Sequence, residues 1–152
     1  MPDECLDLVV SSPPYNLGKE YESRQALEIY LAEQTAVLLE CSRILKNTGS
    51  LFWQVGAFSD RGMLIPLDIR FFPILESCRL IPRNRIIWAR QHGLHAQKKF
   101  SCRHETILWF TYLFSSDRFI NNNYPHESTI RIAISGIFFL HFPILGQFIY
   151  IH

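Results

Sequence analysis

A hydroxyl, two prolines and an aromatic ring stand side by side in the segment Ser12-Pro13-Pro14-Tyr15. The motif follows a short apolar run, Leu6 to Val10, which suits a buried parallel strand that the two prolines end. In α/β folds the active site lies at the C-terminal ends of such strands. The prolines would hold the Pro13 carbonyl at an angle that a flexible loop does not keep. A tetrapeptide is weak evidence by itself, and the alternative is a rigid proline turn without chemistry.

The elements after this motif predict an α/β sheet. From Ser23, a plausible N-cap, apolar residues keep a three-to-four spacing that predicts a long crossover helix, closed by Lys46 to Gly49. Ser50 to Val55 is then predicted to be a second core strand. Strand, helix and strand in this order imply two parallel neighbours.

A second helix and a pair of strands follow. Leu64 to Cys78 is predicted to be helical, with Pro66 near its first turn and Pro73 kinking or dividing it. Two strand-like runs come next, Arg85 to Ala89 and Thr106 to Tyr112. The loop between them is too short for a comfortable crossover helix, so an antiparallel edge pair is expected.

Several stretches together resemble a known enzyme family. Asp7 to Tyr15 resembles the catalytic motif of the DNA amino-methyltransferases that modify cytosine N4 or adenine N6. Arg43 to Trp53 resembles the helix end and following strand of that family, and Asn84 to Trp88 with Arg103 to Thr111 resembles its terminal strand pair. The resemblance implies an α/β class protein with a partial Rossmann-like, S-adenosylmethionine-dependent methyltransferase fold, containing the catalytic half of the sheet.

In that family the exocyclic amine of a base attacks the methyl group of S-adenosylmethionine. The amine is a poor nucleophile, and hydrogen-bond acceptors at its two N–H groups make it more pyramidal and more reactive. The resemblance implies that the Ser12 hydroxyl and the Pro13 carbonyl are these acceptors. Tyr15, kept in place by Pro14, would stack on a base flipped out of double-stranded DNA. Ser11 and Ser12 are expected to adjoin the methyl donor. A leading serine favours cytosine, with adenine N6 as the alternative.

The glycine-rich donor motif of the family, Phe-x-Gly-x-Gly, is missing from this sequence. Of its seven glycines, no two are separated by one residue. We therefore expect a truncated methyltransferase that is inactive alone and needs a separate polypeptide carrying the donor-binding half. One flank of the first strand would be unpaired unless the C-terminal tail covers part of it. A non-enzymatic DNA-binding remnant is the alternative.

Positive charge is concentrated in one part of the chain. Seven Lys or Arg residues lie between Arg79 and Arg103 without an acidic residue among them. Such a cluster suits a polyanionic partner, although a solvated charged loop gives the same pattern. The residues predicted to contact DNA are Lys19, Arg85, Arg90, Lys98, Lys99 and Arg103.

The cysteines favour a reduced, cytoplasmic protein without a metal site. Cys5, Cys41, Cys78 and Cys102 are far apart in the sequence and have no histidine at metal-ligand spacing. None of them follows a proline, which excludes the cysteine nucleophile of carbon-5 cytosine methylation. The N-terminal residues lack the pattern of a signal peptide.

The last third of the sequence changes in character. Residues 1–117 are predicted to form the catalytic half of a methylase domain, and residues 118–152 an atypical apolar tail that is out-of-frame or disordered. Ile132 to Ile151 contains no Asp, Glu, Lys or Arg, and a membrane-spanning helix would show the same pattern. Pro143, His141 and two glycines argue against that reading, so a membrane partner is not expected.

Overall fold

The computed structural model describes residues 1–17, 24–60, 62–89, 103–112 and 132–135, with the side chains of residues 58, 59 and 132–135 outside that description. Within these ranges two helices are interspersed among the strands, and each lies between strands of the same chain, as in a mixed α/β protein. Their bounds are β1 (Leu6–Ser11), α1 (Leu27–Ile44), β2 (Leu45–Val55), β3 (Ala57–Asp60), β4 (Met63–Pro66), α2 (Leu67–Ser77), β5 (Ile81–Ala89), β6 (His104–Thr111) and β7 (Ile132–Ser135).

Five strands form one mixed sheet in the order β5-β6-β2-β1-β7. β1 pairs in parallel with β2, through partners such as Val9 with Leu51 and Ser11 with Trp53. β6 pairs antiparallel with both β2 and β5, which places β5 at one edge of the sheet. The parallel first pair and the antiparallel edge pair were both predicted from the sequence, and both are confirmed.

The core lies between this sheet and the two helices. Trp53 of β2, Phe71 of α2 and Phe110 of β6 are fully buried. The rings of Trp53 and Phe71 meet edge to face, with centroids 5.8 Å apart, and Tyr30 of α1 meets Phe71 in the same way at 6.0 Å. Such contacts are favourable for aromatic rings and tie both helices to the central strand.

Several predicted boundaries need correction. Lys46 to Gly49 do not close α1, because the chain enters β2 directly at Leu45. The β1–β2 register instead jumps from Leu6↔Leu45 to Leu8↔Ser50, so these residues form a bulge in the ladder. Lys46 has a structural role there, since its ammonium group lies 2.9 Å from both carboxylate oxygens of Asp7.

The second helix is shorter than predicted. Leu64 and Pro66 belong to β4, which forms an antiparallel hairpin with β3, and α2 begins only at Leu67. This hairpin was missed because its strands have four residues each, too few for a clear alternating pattern. Pro73 lies inside α2 without dividing it.

The outer flank of β1 is occupied. β7 pairs in parallel with β1 along Leu8 to Ser11, so the alternative in which the tail covers this flank is the correct one. The rest of the apolar stretch from Ile132 to Ile151 lies outside the described residues. None of the helices that the structure describes is both long and apolar enough to cross a bilayer.

Candidate active site

The Ser-Pro-Pro-Tyr motif forms a loop at the C-terminal end of β1, as predicted. Ser11 is the last residue of β1, is buried, and is in register with Trp53 of β2. β2 ends two residues later at Val55, so the loop emerges beside the end of a parallel neighbour. Within the loop Pro13 is buried and Pro14 is exposed. The edge of the sheet therefore presents the loop at the position where α/β proteins bind ligands.

Two further contacts hold the loop. The buried Tyr30 of α1 donates a hydrogen bond from its hydroxyl to the carbonyl of Pro14, at 2.6 Å. Asn16 has a left-handed backbone with φ of 59°, which an asparagine tolerates better than most residues. Its side chain donates to the Gln25 carbonyl at 2.9 Å and accepts from the Gln25 N–H at 2.7 Å. The loop is thus fixed against the start of α1.

Tyr15 is fixed at both its hydroxyl and its ring. The hydroxyl donates to the carboxylate of Glu105 at 3.2 Å and lies 3.3 Å from the hydroxyl of Ser12. The ring passes over Gly56 so closely that a β-carbon there would lie 3.0 Å from Cε2 of Tyr15. Gly56 therefore leaves the space that the ring occupies.

Glu105 is a buried carboxylate at the start of β6, with 6% of its surface exposed. Besides the Tyr15 hydroxyl, it accepts a hydrogen bond from the side-chain amide of Gln54, which is also buried. Among the residues that the structure describes, the Gln54 Oε1 atom has no hydrogen-bond partner. Buried polar groups usually have partners, and an unpartnered acceptor here is compatible with a site that receives a donor from a ligand.

Glu105, Gln54 and Gly56 were not identified from the sequence. One signal was available, because Gln54 interrupts the apolar run of a core strand with a polar side chain. A buried amide in that position requires a partner. Nothing in the sequence indicated that the partner is Glu105, which is 51 positions away in the chain.

The residues predicted to contact DNA fall into two groups. Arg85 of β5 is half-exposed and forms an ion pair with the buried Asp68 of α2, with its Nε 2.8 Å from Oδ2. Arg103 is exposed immediately before β6. The remaining predicted contacts lie outside the described residues: Lys19, Arg90, Lys98 and Lys99.

The chain between Ala89 and His104, called the basic segment below, has both of its ends at the edge of the sheet that carries the catalytic loop. β5 is antiparallel to β6, and β6 is antiparallel to β2, so Ala89 and His104 face each other at the end of the sheet where Val55 and Ser11 lie. The chain between Ala89 and His104 carries most of the predicted DNA contacts. Its two attachment points are therefore on the side of the sheet that carries Tyr15.

Two cavities lie among the described residues. A cavity of about 200 Å³ beside the loop is lined by Asn16, Arg24, Gln25 and Asp60, among others. A second cavity, of about 250 Å³, lies between α2 and Arg85. Small-molecule pockets usually measure about 300–1,000 Å³. Both cavities are smaller than this range.

Comparisons with known proteins agree with the geometry. A family model described as DNA methylase matches residues 6–128. The type II methyltransferase M.BglII of Bacillus subtilis is 61% identical over 112 residues, which are 73% of this chain and 31% of that protein.

Two solved structures share the fold. The putative DNA modification methylase TTHA0409 of Thermus thermophilus, complexed with S-adenosyl-L-methionine, superposes with a TM-score of 0.58 and 26% identity over 74% of this chain and 47% of its own. The cytosine-N4-specific PvuII DNA methyltransferase gives a TM-score of 0.61 at 18% identity, over 73% of this chain and 44% of its own, a likeness of fold alone. The chain thus spans between 31% and 47% of these proteins.

Proposed function

Because the chain belongs to the N6/N4 DNA methylase family, we propose that it supplies the half of a cytosine-N4 DNA methyltransferase that holds the target base. The observation that carries the proposal is the loop of Ser12 to Tyr15 at the C-terminal end of β1, in which the Ser12 hydroxyl is bonded to that of Tyr15 and Tyr15 donates to the buried Glu105. A loop held in this way positions its polar atoms with little loss of entropy when a base binds.

The chemistry assigned to this chain is the preparation of the amine. The hydroxyl of Ser12 and the carbonyl of Pro13 accept the two N–H groups of the exocyclic amine, which makes its nitrogen a better nucleophile and stabilises the positive charge that develops on it. Tyr15 stacks on the face of the flipped base. S-adenosylmethionine, the donor that we assign to the whole enzyme, supplies the methyl group.

Double-stranded DNA is the proposed partner. A target base reaches a site of this kind only when it leaves the duplex, and phosphate contacts hold the DNA while it does so. The basic segment suits this role because both of its ends are attached at the edge of the sheet that carries Tyr15. Arg90, Lys98, Lys99 and Arg103 are the proposed phosphate contacts. Arg85 is a weaker candidate, since its guanidinium already neutralises Asp68.

The donor site is proposed to require residues beyond the catalytic half. In-line transfer needs the reacting atoms to be held about 3 to 3.5 Å apart, and that alignment contributes several kcal/mol to catalysis. Neither of the two cavities described above is of the usual size for a donor of this kind. We therefore expect no transfer by the chain alone and transfer when a separately expressed donor-binding half is added.

The test is incubation with radiolabelled S-adenosylmethionine and mixed-sequence duplex DNA, with and without a donor-binding half taken from a relative. Label that appears only with the added half, and disappears in Ser12→Ala, supports the proposal. Ser77→Ala is the matched control, because Ser77 is exposed at the end of α2 and its hydroxyl donates to the Ile74 carbonyl of the same helix.

Each other result has a definite meaning. Label incorporated by the chain alone refutes the requirement for a second half. If nucleoside analysis finds the label in N6-methyladenine, the family assignment stands and the proposal of cytosine as the target base is refuted. Salt-sensitive DNA binding without label under any condition favours a non-enzymatic remnant.

A further inference from the structure

We propose that Glu105 is a positioning residue, which directs the hydrogen bonds through Tyr15 so that Ser12 meets the target amine as an acceptor. The inference rests on the proposed function, because it concerns how the same loop receives the amine. Glu105 itself is not expected to touch the base. It lies one side chain away from Ser12, with Tyr15 between them.

The number of protons on the three side chains decides the direction of their hydrogen bonds. A serine and a tyrosine hydroxyl each have one proton to donate, and an ionised carboxylate has none. The Tyr15 hydroxyl donates its proton to Glu105 at 3.2 Å. In its contact with Ser12, at 3.3 Å, Tyr15 can then only accept. Ser12 therefore uses its proton on Tyr15, and what remains on its oxygen is lone-pair density.

A hydroxyl that presents only lone pairs is what the amine requires. The exocyclic amine carries two N–H groups, and both are donors. A Ser12 proton that pointed at either of them would be repelled. A hydroxyl that is free to rotate would have to be turned at the moment of reaction, at a cost in alignment. Glu105 removes that freedom before the base arrives, and this is the meaning of preorganisation in such a site.

Glu105 accepts a second hydrogen bond besides that of Tyr15. The Gln54 amide donates to the same oxygen of Glu105 that receives the Tyr15 proton. Both Gln54 and Glu105 are buried, with 4% and 6% of their surface exposed, so water competes little for these bonds. Gly56 completes the arrangement, because any side chain there would push the Tyr15 ring away.

Removing Glu105 should reverse the direction of the bond. Without the carboxylate, Tyr15 is free to donate to Ser12, whose own proton then faces the amine site. Glu105→Met fills the space with an apolar side chain and has this effect. Glu105→Gln is the conservative comparison, because its carbonyl oxygen can still accept from both Gln54 and Tyr15. Tyr15→Phe keeps the ring and removes the connection, and it serves as a second test if Glu105→Met fails to fold.

The first measurement uses the full chain alone and detects the hydroxyl proton of Tyr15 by low-temperature proton NMR, with Tyr15→Phe identifying the signal by its loss. We expect a downfield signal in the wild type, nearly the same signal in Glu105→Gln and a clear upfield shift in Glu105→Met. A Tyr15 signal that is undetectable in the wild type, or that does not respond to Glu105→Met, overturns the inference.

The second measurement uses the full chain with the donor-binding half in the labelling assay. We expect kcat to fall by up to about 100-fold in Glu105→Met and Tyr15→Phe while KM for DNA stays within about 2-fold, as for loss of alignment without loss of binding. Glu105→Gln should keep most of the activity. Equal losses in Gln and Met variants, or a loss that appears only in KM, contradict the positioning role. If the wild-type pair transfers no label, the proposed function fails, and the NMR result still decides the direction of the bond.

Discussion

The closeness of Gly56 to Tyr15 gives a prediction that can be worked out from distances. In Gly56→Ala the new methyl group would lie 3.0 Å from Cε2 and 3.2 Å from Cδ2 of the Tyr15 ring. Carbon atoms in favourable contact are about 3.5 to 4.0 Å apart, so the ring must move by roughly 0.5 Å or the backbone must yield. The two hydrogen bonds of the Tyr15 hydroxyl, at 3.2 and 3.3 Å, cannot lengthen by this amount and persist, because a contact of about 3.6 Å is no longer a hydrogen bond.

The expected effect on stability is modest and the effect on the site is larger. Overpacking of this kind lowers the free energy of unfolding by about 1–3 kcal/mol. Alanine offsets about 0.4–1 kcal/mol of this loss, because it restricts the unfolded chain more than glycine does. We expect Gly56→Ala to lower the free energy of unfolding by about 0.5–2 kcal/mol, measured by urea denaturation. In the labelling assay with the donor-binding half, it should lose activity in the same range as Tyr15→Phe.

A double-mutant cycle isolates the clash. In a Tyr15→Ala background the ring is absent, so Gly56→Ala should become neutral or slightly stabilising. Gly62→Ala is a contrasting control, because a β-carbon there would lie within 4 Å of no atom in the described part of the chain, while the backbone has φ of +83°. Its cost should be the same whether or not the Tyr15 ring is present. A penalty for Gly56→Ala that is unchanged in the Tyr15→Ala background would refute the reasoning.

Two further predictions concern Arg85 and Cys41. Arg85→Met should lower the free energy of unfolding by about 1–3 kcal/mol in urea denaturation, because it leaves the buried Asp68 carboxylate without its cation. Adding Asp68→Asn to Arg85→Met should recover part of that loss. A double variant that is no more stable than Arg85→Met would contradict this explanation. Burial raises the pKa of the Cys41 thiol from 9.0 to about 11. Since the folded chain keeps this proton while the unfolded chain loses it, the free energy of unfolding should fall as the pH rises from 9 to 11, and less so in Cys41→Ala. Iodoacetamide at pH 8 should modify Cys41 slowly until urea is added, and rapid modification of the folded chain would argue against the raised pKa.

The main strands were predictable because their signals are local. Leu6 to Val10 and Ser50 to Val55 are apolar runs bounded by turn residues, and each becomes a buried strand of the sheet. Their parallel pairing followed from the helix between them. The limits of that helix were less predictable, since Lys46 to Gly49 have the composition of a helix end but join β2 as a bulge. The pairing of Leu45 with Leu6 outweighs the local preference of these residues for a turn, and a contact so distant in the chain is not encoded by local sequence.

The candidate site was predictable only where it is continuous in sequence. Ser12 to Tyr15 are adjacent residues whose types indicate their chemistry. Glu105 reaches Tyr15 through the register of β6 on β2, in which Val55 pairs with Thr106 and Glu105 comes next, beside Gly56. A slip of one residue would turn Glu105 to the other face of the sheet.

The same register explains why Glu105 and its neighbours form one unit. Once Val55 pairs with Thr106, the side chains of Gln54 and Glu105 meet diagonally across the strand ends and Gly56 lies under the Tyr15 ring. The Gln54–Glu105 contact is therefore also a structural determinant, because a slipped strand would bury a carboxylate without a donor, at a cost of several kcal/mol. The register of β6 on β2 therefore places next to the Tyr15 hydroxyl the same carboxylate that Gln54 binds, so a change in this pairing would also remove the contact between Glu105 and Tyr15.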